Sequence, residues 1–111
     1  MLKLEIKFDE IKMQSDHSYT SESVYKTLDN IFLKYDFHKE IFADGTVSYS
    51  GNGMSRDYAI FGRLITKLKD EDWFMRYLVK WLWYNSDDGE NESDFAVEDI
   101  LYHYAKRESA A

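Results

Sequence analysis

Leu2-Lys3-Leu4-Glu5-Ile6-Lys7-Phe8-Asp9 alternates apolar and polar residues without an error. A period of two sets Leu2, Leu4, Ile6 and Phe8 on one face of a strand and Lys3, Glu5, Lys7 and Asp9 on the other. The apolar face of such a strand needs a layer to cover it, and the rest of the chain supplies amphipathic helical patterns on either side of a hairpin. The stretch is therefore expected to be the first strand of a small α+β sheet. Asp9 stands at its carboxyl end, and that carboxylate is the first candidate for chemistry.

Beyond Asp9 the parity slips. Ile11 and Met13 carry the apolar rhythm on the opposite register, which predicts a bulge or the strand's end, followed by a polar loop over residues 14–20. Ser21-Glu22-Ser23 opens a helix with Val24, Leu28, Ile31, Phe32 and Tyr35 at helical spacing. Residues 37–43 and 46–50 are rich in aromatic and β-branched types and flank Asp44-Gly45, a strong hairpin signal. After Gly51-Asn52-Gly53, Ser55 is expected to cap a second helix over residues 56–69, with Phe61, Leu64, Ile65 and Leu68 on one stripe.

Residues 77–84 then read as a last strand, apolar on both faces, with Val79, Trp81 and Trp83 on one and Leu78, Leu82 and Tyr84 on the other. Ser93 is expected to cap a third helix that aligns Val97, Ile100, Leu101 and Tyr104 and ends on Lys106 and Arg107. The order is the ferredoxin-like split β-α-β-β-α-β plan with a C-terminal helix. One domain over residues 1–107 and a disordered tail over 108–111 are expected.

Composition narrows the functions. A chain of 111 residues, 44% hydrophobic and 17% aromatic, is large enough for one core and too apolar for intrinsic disorder. No run approaches the roughly 18 apolar residues of a membrane span, and the amino terminus lacks a signal-peptide core. With no cysteine, disulfides and thiolate sites are excluded, and the expected compartment is the cytoplasm. A net charge of −7 argues against a broad nucleic-acid face, because that binding is driven by Lys and Arg displacing counterions. A local basic strip, a metal bridging carboxylate to phosphate, or acidic mimicry of nucleic acid remain.

Several stretches resemble virulence-associated protein D, a family of small endoribonuclease toxins that are themselves similar to the ferredoxin-like nuclease subunit of CRISPR spacer acquisition. They are Phe8-Asp9, Tyr25 and Leu28, Phe37, Gly45-Thr46-Val47-Ser48-Tyr49, the Phe61, Leu64, Ile65 and Leu68 stripe leading into Trp73-Phe74, and Ser93-Asp94-Phe95. The similarity runs over roughly the first nine-tenths of the chain. It implies a homodimer of ferredoxin-like subunits with Asp9 at the interface, binding Mg²⁺ or Mn²⁺ and assisting cleavage of RNA. Carboxylate oxygen suits such an ion, which polarises a scissile phosphate and acidifies an attacking water. The chain departs from the family in its last strand, where Val79-Lys80-Trp81-Leu82 replaces an Arg-Asp-Ile-Arg run. Only Lys80 keeps a charge there, and lysine is a less directional phosphate partner than arginine.

Other residues join the candidate site. His17 offers an imidazole, the side chain type most often used for general acid or base work, although a solvated loop histidine is the plainer reading. Tyr49 and Ser50, closing the hairpin, are candidate substrate contacts, with a tyrosine packed in the sheet as the alternative. Residues 86–94 hold five carboxylates in nine positions. Asp87, Asp88, Glu90 and Glu92 there suit either a solvated loop or a mimic of phosphates. Two functions fit: a metal-dependent endoribonuclease in a toxin or mobile-element defence setting, and a non-catalytic acidic module, such as a phage inhibitor of a CRISPR nuclease, that binds a basic protein partner.

Overall fold

The computed structural model describes residues 2–86 and 96–104, which form an α+β domain. The elements run β1 (Leu2–Phe8), α1 (Glu10–Asp16), α2 (Ser21–Leu33), β2 (His38–Ile41), β3 (Val47–Ser50), α3 (Asp57–Leu68), α4 (Asp72–Met75), β4 (Leu78–Asn85) and β5 (Ala96–Asp99). The strands make one sheet in the order β2-β3-β1-β4-β5, antiparallel at every pairing. Among the described residues no helix is long and apolar enough to cross a membrane.

The alternation at the amino terminus does what its period predicts. Leu2, Leu4, Ile6 and Phe8 are all buried, and Lys3, Glu5 and Lys7 lie on the opposite face. The register sets Leu4 beside Tyr49 and Trp83, and Ile6 beside Val47 and Trp81. Val24, Leu28 and Phe32 of α2 and Ile60, Phe61, Leu64 and Leu68 of α3 pack on this face. Aromatic rings seal the layers: Phe32 stacks on Tyr49 at 4.3 Å and Phe37 on Phe61 at 4.4 Å. Such stacked pairs add to the burial of their area.

Three segments differ from the sequence reading. The chain after Asp9 is helical, not a bulged strand or loop. Asp9 takes the N-cap position and accepts a hydrogen bond from the Lys12 amide at 3.0 Å, so Ile11 turns to solvent while Met13 reaches the core. In the last strand the pairing slips between Lys7 and Phe8, and this irregularity turns Leu78 inward and leaves Val79 about half exposed, at 49%. Val79 therefore does not share the face of Trp81 and Trp83. Finally, Val97 belongs to a strand. Residues 96–99 pair with β4, Tyr84 opposite Val97, and helix begins only at Ile100, running over residues 100–104. The unpaired edge of β4 offers a row of backbone donors and acceptors that a helix would leave open. The expected cap Ser93, the residues Lys106 and Arg107 and the tail 108–111 lie outside the described residues.

At the second hairpin connection the capping also differs. Ser55 does not cap α3; Asp57, at its first turn, accepts from the amides of Asn52 at 2.8 Å and Met54 at 3.1 Å. The Asp57 carboxylate lies so close to Gly51 that a Cβ there would stand 2.7 Å from Oδ2. Glycine is the residue that this close approach admits.

Candidate functional site

Asp9 sits where the central strand passes into α1. Its amide donates to the Tyr77 carbonyl at 2.7 Å, which ties the end of β1 to the start of β4. Oδ1 is engaged by the Lys12 amide, while Oδ2 has no donor among the described residues. The side chain is half-buried and borders a cleft of about 370 Å³ shared with Lys7, Glu10, Tyr25, Asp44 and Val79. Three carboxylates and one ammonium thus face a single opening.

Each of those neighbours is positioned by a local contact. Tyr25, on α2, donates its hydroxyl to Glu10 Oε1 at 3.0 Å. Burial, and then that carboxylate, push the Tyr25 phenol up to about 12, so it remains a donor. Asp44 begins the hairpin turn and accepts from the Thr46 amide at 2.9 Å, with Gly45 taking the positive φ of 90° that the turn requires. Hydrogen bonds from Thr46 hold the Asp44 carboxyl down at about 2, assisted by Lys80 and Lys7. Lys7 lies 3.8 Å and Lys80 3.7 Å from its Oδ2. Lys80 also donates to Thr46 Oγ1 at 3.0 Å. Lys7 and Lys80 are direct cross-strand partners, a like-charge pair that Asp44 bridges.

Asp9 and Lys7 therefore border one cleft at this end of the sheet, to which Lys80 is tied through the shared Asp44 while bordering a neighbouring pocket with Glu5 and Phe42. The other described sequence candidates lie elsewhere. His17 caps the far end of α1 in a left-handed conformation, φ 60°, and borders a separate pocket with Met13, Tyr19 and Thr20. At ~1.5 Å per residue, the length of α1 sets it roughly 12 Å from Asp9. Tyr49 is enclosed in the core, its hydroxyl donated to Asp29 at 2.6 Å. Ser50 lies on the open sheet face opposite Lys3 and His38, at the other end of β3 from Thr46. Asp87, Asp88, Glu90 and Glu92 lie outside the described residues.

Lys7, Glu10 and Asp44 were not singled out by sequence as site residues, and Tyr25 and Thr46 entered only as part of the resemblance. Lys7 carried a signal, since it shares the polar face of β1 with Asp9. Asp44 read only as a turn residue and Thr46 as the start of a strand, because nothing local says that the hairpin folds back toward the end of β1. Nearby, Arg76 is committed elsewhere, bound to Asp72 at 2.9 Å and Asp16 at 3.2 Å.

Among the described residues no group of three or more metal-ligating side chains converges within one chain. The chemistry available is that of a hard-oxygen donor beside a small cationic strip. Comparison with known proteins gives no match: no protein-family model, no curated protein and no solved structure is similar enough to assign the chain.

Proposed function

We propose that this chain is a divalent-metal-dependent endoribonuclease of the virulence-associated protein D type, working as a homodimer with Asp9 as its metal-binding carboxylate. The observation that carries the reading is the division of labour at Asp9, whose Oδ1 caps α1 while Oδ2 is left to the cleft. The strand order supports it as well, since β2-β3-β1-β4, antiparallel throughout, is compatible with the expected ferredoxin-like plan, with β5 added at its margin.

The residues suit Mg²⁺ or Mn²⁺ better than a fully caged ion. Magnesium keeps several waters and takes one or two protein carboxylates together with substrate phosphates. One Asp9 from each of two copies meets that need, in keeping with the lack of a three-ligand cluster among the described residues of one chain. The bound ion supplies Lewis-acid polarisation of the phosphate and a more acidic water. The chain's own part is positional. The cap fixes the Asp9 carboxylate, Tyr25 steers Glu10, and Lys7 and Lys80 offer charge to the RNA backbone once Asp44 and Thr46 release them.

Asp9→Asn separates chemistry from folding, because asparagine caps a helix as well as aspartate but binds a divalent cation poorly. Wild type is expected to cut RNA with Mg²⁺ or Mn²⁺ and to stop on addition of EDTA. Asp9→Asn is expected to melt at the same temperature and lose at least ~100-fold of the rate, the scale of losing a metal's electrostatic assistance. Equal cutting by the variant would remove Asp9 from the site. The net charge of −7 favours a second reading, an acidic module that occupies a basic protein partner such as a CRISPR nuclease. In that case wild type cuts nothing, and salt-sensitive binding weakens when Asp87, Asp88, Glu90 and Glu92 are neutralised together.

A further inference from the structure

We infer that the pocket between α3, β4 and residues 98–104 is a binding site for a quaternary ammonium group. It shares no lining residue with the Asp9 cleft and stands apart from the nuclease reading. Its volume is about 210 Å³, below the ~300 Å³ at which sites for drug-sized ligands begin but ample for a small cationic head group.

Among the described residues four aromatic rings line it, those of Trp83, Tyr58 and Tyr104 and the imidazole of His103. Trp83 comes from β4, Tyr58 from α3 and Tyr104 from the terminal helical segment. Tyr58 meets Trp83 edge-on, centroids 6.4 Å apart at 67°, so the two rings form adjoining walls and not a closed stack. Tyr104 is held from behind by Trp81 at 5.9 Å. Glu98, cross-strand partner of Trp83, adds the one carboxylate among the described lining residues, none of which is Lys or Arg. Ring faces attract cations through their quadrupole, and a carboxylate beside them completes the recognition of an alkylated ammonium. A quaternary head group holds its water weakly and loses little on entering such walls, whereas a primary ammonium needs several acceptors in place of its water and finds Glu98 as the one carboxylate among the described lining.

Gly62 gives an independent reason to regard the space as a ligand site. It stands in the middle of α3, where glycine disfavours helix more than any residue except proline. Nothing among the described residues demands it, since φ is not positive and a Cβ built there meets none of their atoms within 4 Å. Alanine would suit the helix better. What glycine leaves is open room along the wall of the aromatic pocket.

Choline tests the site, read by two-dimensional amide NMR of the full chain beside the neutral carbon isostere of choline. The expected result is saturable shifts at Gly62, Glu98 and the Trp83 indole, with the isostere at least about tenfold weaker. Tyr58→Leu and Glu98→Gln, both at exposed positions, are each expected to weaken choline about three- to tenfold. Gly62→Ala is expected to melt no lower than wild type and still bind choline less well. A peptide carrying trimethyllysine distinguishes a protein-borne cation from a free one, and tighter binding of either supports the site. No shifts at tens of millimolar choline, equal shifts from the isostere, or unchanged binding in all three variants would overturn it.

Discussion

Asp44 and Tyr25 show at the scale of single residues how the cleft beside Asp9 titrates. Asp44 is held near 2 by the Thr46 hydrogen bonds and the two lysines, against an ordinary value of 3.8. A depressed carboxyl contributes stability that is complete above its unfolded pKa and is lost as the pH falls through its folded one. The stability difference between wild type and Asp44→Asn is therefore expected to be present at neutral pH and to close between 3.8 and about 2, followed by thermal unfolding. Tyr25 works in the opposite sense. Its phenol is raised to about 12, so its contribution is complete below pH 10 and fades as the pH climbs through 12, measurable as a late step in tyrosinate absorbance that Tyr25→Phe removes. The Asp44-Gly45 turn could be read from sequence because its chemistry is local. The hold of Asp44 on Lys7 and Lys80 could not, because it depends on a hairpin folding back over β1.

Whole elements were legible where the periodicity was long and unbroken. The stretch from Leu2 to Phe8, the stripe of α2 and the stripe of α3 each specify one geometry, and each formed it, while Asp9, read as the strand's last residue, caps α1. Legibility failed at short elements. Ile11 and Met13 are two apart, which fits a strand as readily as one helical turn, and the choice fell to the Asp9 cap and the charge of Glu10 in the first turn. A pair of variants checks the helix. Ile11, 80% exposed, should change stability by less than ~0.5 kcal/mol when replaced by alanine, whereas Met13→Ala should cost about 2–4 kcal/mol in urea unfolding. Similar losses from both would contradict α1. At β5 the sequence offered Val97, Ile100, Leu101 and Tyr104 at helical spacing, but the open edge of β4 outcompeted the first turn of that helix. The site was legible only in part for the same reason: Asp9 was named from the end of the first strand and Lys80 from the one charge left in the last, and their companions arrive through tertiary folding.

For the molecule as a whole, the proposed sharing of one ion by two Asp9 side chains links metal binding to self-association. Sedimentation of wild type is expected to shift toward the dimer when Mn²⁺ is added and to return with EDTA, and Asp9→Asn should not respond. A chain that stays monomeric with saturating Mn²⁺ would detach the ion from any twofold arrangement.

The outer margins of the sheet limit how two copies can meet. β2 and β5 are both four residues long and exposed along their length, and they display Lys39 and Glu40 on one side and Glu98 and Asp99 on the other. Short, charged margins make poor templates for an incoming foreign strand. Strand-to-strand joining of copies is thus disfavoured at these margins, and side chains meeting across a surface are the expected contact. The same feature should keep concentrated solutions free of fibrils.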